Sequence, residues 1–290
     1  MTRVAVLAVL TAFVGAAPSP DLVTRIRQLT RATPWTRVST TTIAFPTHHP
    51  QGMVKIGDTF YVSSVDRDTR AGHLFKIDKD GGLVTDLPLG AGEIYHPGGI
   101  DYDGTDLWVP VAEYRADSRA IIYRVDPQTM KATEVFRFAD HIGAVAFDTG
   151  TRTLHGVSWG SRRFYHWQVS ADGRVADPGV PAQLAMLNPS HYVDYQDCHF
   201  AGGGMMLCAG VTVLRPPPPA APFRFGGLEL VDLAAGRAVH QVPIQLWLPS
   251  GQVMTENPFW IETTATGLRA YFMPEDNRST IFVYDVKSIS

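Results

Sequence analysis

Short apolar runs closed by turn residues recur from residue 38 to the end of the chain, the pattern of an all-β protein. Residues 99–103 predict an innermost strand, which Asp103-Gly104-Thr105-Asp106 ends in a tight turn. Residues 107–112 predict a buried second strand, 120–125 a third and 131–138 an outer fourth, with Asp126-Pro127-Gln128-Thr129 turning the chain between the last two. The same plan is legible at 60–63, 73–77 and 83–87, and again at 153–158 and 163–169. Only near the start does the period change. Leu22, Ile26 and Leu29 fall on one stripe at i, i+4 and i+7, which predicts an amphipathic helix over 21–33, stopped by Pro34 and packed on the rim of the domain.

Each unit opens on a related motif: His49-Pro50-Gln51-Gly52-Met53, His96-Pro97-Gly98-Gly99-Ile100, His141-Ile142-Gly143-Ala144-Val145, Asp194-Tyr195-Gln196-Asp197-Cys198 and Asn257-Pro258-Phe259-Trp260-Ile261. The motifs start at 49, 96, 141, 194 and 257, so their spacings are 47, 45, 53 and 63. Repeats of this size with strand-like content predict a five-bladed β-propeller, because one four-stranded sheet cannot bury both of its faces alone. The fifth unit supplies strands at 259–263, 268–273 and 280–286 and then ends. Residues 38–45 supply the missing strand, so an N-terminal strand is expected to close the ring. The domain reading is therefore a leader at 1–19, a helix and linker at 20–37, and the propeller over 38–290.

Composition changes this picture little. Of the 290 residues 45% are hydrophobic and 18% charged, and a net charge of −3 offers no electrostatic footprint for nucleic acid. The leader has Arg3, an apolar run over 4–14 too short to span a bilayer, and the small residues Gly15-Ala16-Ala17, as an export signal does. No later apolar run approaches membrane-spanning length, so a secreted protein without a membrane span is expected. Cys198 and Cys208 flank Ala201-Gly202-Gly203-Gly204, where a hairpin would set them side by side; in an exported protein a disulfide is expected. Pro216-Pro217-Pro218-Pro219 interrupts the fourth unit and reads as a stiff surface loop between its second and third strands.

In a propeller the loops entering each innermost strand and those between strands two and three share one face. The repeat thus sets His49, His96, His141, Asp194 and Asn257 around one mouth. Three imidazoles and a carboxylate suit a divalent metal, so His49, His96, His141 and Asp194 are candidate ligands. Glu113 and Asp276, farther out, are candidate general acid and base. Tyr95, Tyr114, Arg115, Trp159, Arg162, Tyr195, Gln196 and Arg278 are candidate contacts for a small-molecule or glycan ligand. A structural role for the ring competes with these readings, since repeated blades reuse the same packing device. The sequence has no Gly-x-Ser-x-Gly, His-Glu-x-x-His, P-loop or dinucleotide fingerprint.

At residues 49–54, at 94–101 and at Asn188-Pro189-Ser190-His191 the chain resembles an uncharacterised family of secreted bacterial and fungal proteins, a resemblance that spans the mature chain and brings no activity. More distantly it resembles the strictosidine-synthase and lactonase-type propellers, which hold a metal in the central channel. Those have mostly six blades and a Glu/Asn/Asp metal shell, so no catalytic residue is carried over. The expectation is an exported propeller acting as a metal-assisted hydrolase or lyase, with a non-catalytic binding module as the alternative.

Overall fold

The computed structural model describes residues 20–287; the leader expected at 1–19 lies outside the described residues. Five sheets make a five-bladed β-propeller. Blade 1 comprises His49–Ile56, Thr59–Asp66, Ala71–Ile77 and Leu83–Leu89, and blade 3 comprises Ala144–Asp148, Thr153–Val157, Arg163–Gln168 and the short Met186–Leu187. Blade 4 comprises Asp194–Gly202, Met205–Leu214, Phe223–Asp232 and Arg237–Ile244, with the proline run in the loop between its second and third strands. Blade 5 holds Phe259–Thr264, Gly267–Phe272 and Thr280–Lys287, and its outer strand is Thr36–Thr42 from the other end of the chain. Thr36 pairs with Asp285 and Thr42 with Thr280, so this strand lies slightly N-terminal of the expected 38–45. Among the described residues no helix is long and apolar enough to cross a membrane.

Blade 2 departs from the simple plan. Its second to fourth strands are Leu107–Glu113, Ala120–Asp126 and Lys131–Phe138, but the innermost strand is split into Ile94–Pro97 and Asp101–Tyr102. Between the two pieces the backbone turns to blade 3: Gly99 N–H donates to Gly143 O at 2.8 Å, and Val145 N–H donates to Gly99 O at 3.1 Å. Glycine is what allows this contact. A Cβ on Gly98 would stand 2.1 Å from Gly143 O, and one on Gly52 would stand 2.6 Å from Ile100 N. The continuous strand expected at 99–103 is thus replaced by a parallel bridge to the next blade.

That close approach also takes in blade 4, since a Cβ on Gly99 would stand 2.8 Å from Asp197 Cα. Asp197 is fully buried there and accepts backbone N–H groups from Met53 (2.8 Å), Ile100 (3.1 Å) and Phe259 (3.4 Å), which belong to blades 1, 2 and 5. Asp101 accepts Phe147 N–H at 2.8 Å and Phe200 N–H at 3.0 Å, joining blades 3 and 4. His199 lies between these carboxylates, 3.3 Å from Asp197 and 3.4 Å from Asp101, and its Nε2 donates to Phe259 O at 2.9 Å. Burial opposes a charge on this ring, but Asp197 first and Asp101 second outweigh it and push the His199 pKa up to about 10. An imidazolium held by two carboxylates therefore pins all five blades together.

The helix is shorter than its apolar stripe suggests, Pro20–Gln28, because the chain breaks into turns after it and Thr30 N–H bonds Thr33 Oγ1 at 2.8 Å. It lies not on the rim but across the junction of blades 4 and 5. Ile26 and Leu29 join an apolar cluster with Leu228, Phe259 and Phe272. Arg25 donates to Thr264 O (2.7 Å) and Gly267 O (2.5 Å), at the turn between the first two strands of blade 5, which puts the helix on the face opposite the mouth. Cys198 and Cys208 are directly opposed partners on adjacent strands and are bridged, with both residues fully buried.

Candidate functional site

The mouth opens into a cavity of about 270 Å³, and the repeat delivers its predicted residues there: His49, His96, His141, Asp194, Tyr195 and Gln196 from the blade entries, Tyr114 and Trp159 from the loops between second and third strands. Tyr114 also lines a neighbouring space of about 410 Å³ that takes in Tyr95, Glu113 and Arg115. Arg162 and Arg278 are exposed and line neither.

The three imidazoles are held differently. His49 Nδ1–H donates to Asp276 Oδ1 at 2.7 Å, and the same carboxylate accepts Asn257 Nδ2 at 3.0 Å and Arg67 Nη2 at 2.9 Å. Burial opposes the Asp276 charge, but the hydrogen bonds from His49 and Asn257 and the Arg67 guanidinium outweigh it and keep the carboxyl below its usual range. The loops carrying the pair are fastened to each other. Thr47 N–H bonds Asn277 O at 2.9 Å and Asn277 N–H bonds His48 O at 2.7 Å, with His48 (φ 54°) and Asn277 (φ 59°) both in left-handed conformation. Asp276 thus meets His49, Asn257 and Arg67 through one carboxylate.

His141 donates Nδ1–H to two backbone carbonyls, Glu113 O and Arg115 O, each at 3.1 Å. A carbonyl only accepts, so the proton is on Nδ1 and Nε2 carries the lone pair. Burial holds the His141 pKa down at about 4, the two carbonyls only partly opposing it. His96 is 7% exposed, and neither ring nitrogen has a hydrogen-bond partner. Tyr114 packs edge-on against it at 4.2 Å and His141 lies 5.5 Å away. Burial, followed by the neighbouring His141 and His49, holds His96 well below the usual histidine pKa. Both rings are neutral at pH 7.

Two sequence expectations change here. Among the described residues no three His, Cys, Asp or Glu side chains stand together as metal ligands. The expected His49–His96–His141–Asp194 set is therefore not assembled as one group: His49 and His141 are each held through Nδ1, which leaves both Nε2 atoms free, and Asp194 stands exposed at the rim. Glu113 is locked under Arg119 (2.8 and 2.6 Å) and Arg115. Arg119 above all, with Arg115, holds it ionised below the usual glutamate range, which leaves no proton to donate near neutrality and a poor base. The Asp101–His199–Asp197 pin was not foreseen. Its signal is the i, i+2 spacing of Asp197 and His199, which aims both at the axis.

The chain matches the DUF6454 family, described as a family of unknown function, over residues 7–288, and belongs to it. No curated protein matches. Among solved structures it is similar to a hypothetical protein from Leishmania major (11% identity, TM-score 0.56, covering 86% of this chain and 90% of that one). It is similar too to a bifunctional GH43-CE protein of Bacteroides eggerthii (12% identity, TM-score 0.53, 86% of this chain and 34% of that one). A third similarity is to Kuenenia stuttgartiensis hydrazine synthase (12% identity, TM-score 0.41), where the match takes in 81% of this chain and spans 58% of the other. At such identities the first two likenesses show the fold alone.

Proposed function

We propose that this member of the DUF6454 family is an exported enzyme of the hydrolase or lyase class, with His49 as general base at the propeller mouth. One observation carries the reading: the Asp276–His49 pair, braced by Arg67 and Asn257 and set on the wall of the cavity. Donation of Nδ1–H to an ionised carboxylate fixes the tautomer and leaves the Nε2 lone pair to take a proton. In hydrolysis a water gives that proton to Nε2 as its oxygen attacks the substrate, and the proton passes from Nε2 to the leaving group. In elimination Nε2 takes a proton from carbon as the leaving group departs. Asp276 stabilises the imidazolium formed in either case.

The test is a turnover screen against hydrolase and lyase substrates, followed by kinetics of the positive reaction. His49→Gln is expected to lower kcat by about 10²–10⁴-fold, the usual range for general acid–base catalysis. Turnover that survives His49→Gln overturns the reading. A non-catalytic binding module is the second reading, favoured by the orphaned nitrogens of His96, and it predicts binding with no turnover. Export is supported by the Cys198–Cys208 bridge, since disulfides persist in oxidising compartments.

A further inference from the structure

We propose that the cavity takes a neutral, hydroxyl-rich ring of about monosaccharide size, held between acceptors and an aromatic wall. This rests on the reading of the mouth as the functional site, and it names the class of molecule that enters. Among the described residues the lining contains no arginine or lysine, so no guanidinium or ammonium in it neutralises an anionic ligand. The groups it offers include several acceptors beside the hydroxyls of Tyr114 and Ser158. His141 presents Nε2, because Nδ1–H is committed to Glu113 O and Arg115 O. Gln51 donates one Nε2 N–H to Pro50 O at 3.2 Å, which leaves its amide oxygen and its second N–H. Asp194 adds a carboxylate at the rim.

His96 narrows the class further. A neutral imidazole has one donor and one acceptor nitrogen, and here both are buried without partners. An ammonium meets only the acceptor and a carboxylate only the donor, whereas adjacent hydroxyls meet both. A ligand that turns the Tyr114 ring aside reaches these nitrogens, and it gives partners to groups that otherwise have none. Trp159 borders the same space, edge-on to His141 at 4.8 Å, and remains 37% exposed, so part of its indole is left uncovered for the apolar face of a ring. A volume of about 270 Å³ is below the range of drug-sized pockets and suits one such ring.

Saturation-transfer NMR on the whole protein at neutral pH, with D-glucose, D-galactose, D-xylose, myo-inositol, D-glucuronate and D-glucosamine as probes, tests this. At least one neutral ring is expected to bind in preference to the charged ones. Trp159→Ala is expected to weaken it about tenfold. Gln51→Leu, read on protein whose thermal unfolding matches the parent, is expected to weaken it too. Binding of only the charged sugars, binding of none, or binding indifferent to both substitutions overturns the inference. A neutral ring that binds and is not turned over supports it and removes the general-base reading. His49-dependent turnover of an anionic substrate in the cavity does the reverse.

Discussion

His141 and His199 are both buried histidines near the propeller axis, yet they have opposite charge states. His199 lies within 3.5 Å of two carboxylates, and its pKa is pushed up to about 10. His141 meets backbone carbonyls, and burial brings it down to about 4. The same side chain is a structural cation at one site and a neutral hydrogen-bonding group at the other. What differs is the charge of the neighbour: a carbonyl dipole offsets part of the desolvation of an imidazolium, while a full carboxylate exceeds it.

The largest effect is expected from breaking the pin. Asp197→Ala leaves a charged His199 with one partner and strips the acceptor from N–H groups of three other blades, so a loss of about 3–5 kcal/mol is expected in urea unfolding. A loss within the scatter of surface substitutions would show the pin to be incidental.

Titration separates the two rings more finely. His141 takes up a proton near pH 6.5 in the unfolded chain but only near pH 4 in the fold, so the unfolded state binds more protons in that window. Stability should therefore fall as pH drops from about 6.5 to about 4, by about 3 kcal/mol from this ring. His199 has the opposite sign. Its contribution is full below pH 6.5 and is lost as the pH rises through about 10. Imidazole proton shifts in NMR give both curves directly, and a His199 that titrates near 6.5 would dissolve the comparison.

Reduction of Cys198–Cys208, next to the pin in sequence, should lower stability by roughly 2–3 kcal/mol. The smallest effect belongs to Asp276→Asn. This carboxylate is 33% exposed and its loss should change stability by less than about 1 kcal/mol while kcat falls by tens-fold or more, splitting activity from folding.

The blades were legible because the repeat and the period-two pattern are local properties of the chain. His49, His96 and His141 reach one mouth for the same reason: equivalent positions in successive blades converge. Partners were not legible. Glu113 and Asp276 looked alike as free carboxylates, yet Arg119, six residues on, locks the first, and His49 comes to the second from 227 residues away. The split inner strand of blade 2 was equally hidden, since Gly98-Gly99 signals flexibility without saying which neighbouring backbone it admits. A pattern of residue types records where side chains point; it does not record what they meet.

The main-chain contact between Gly99 and Gly143 joins blades 2 and 3 with no side chain between them. The two sheets are thus zipped along their inner edges as neighbouring strands of one sheet are, and a Cβ at Gly98, 2.1 Å from Gly143 O, would have to prise them apart.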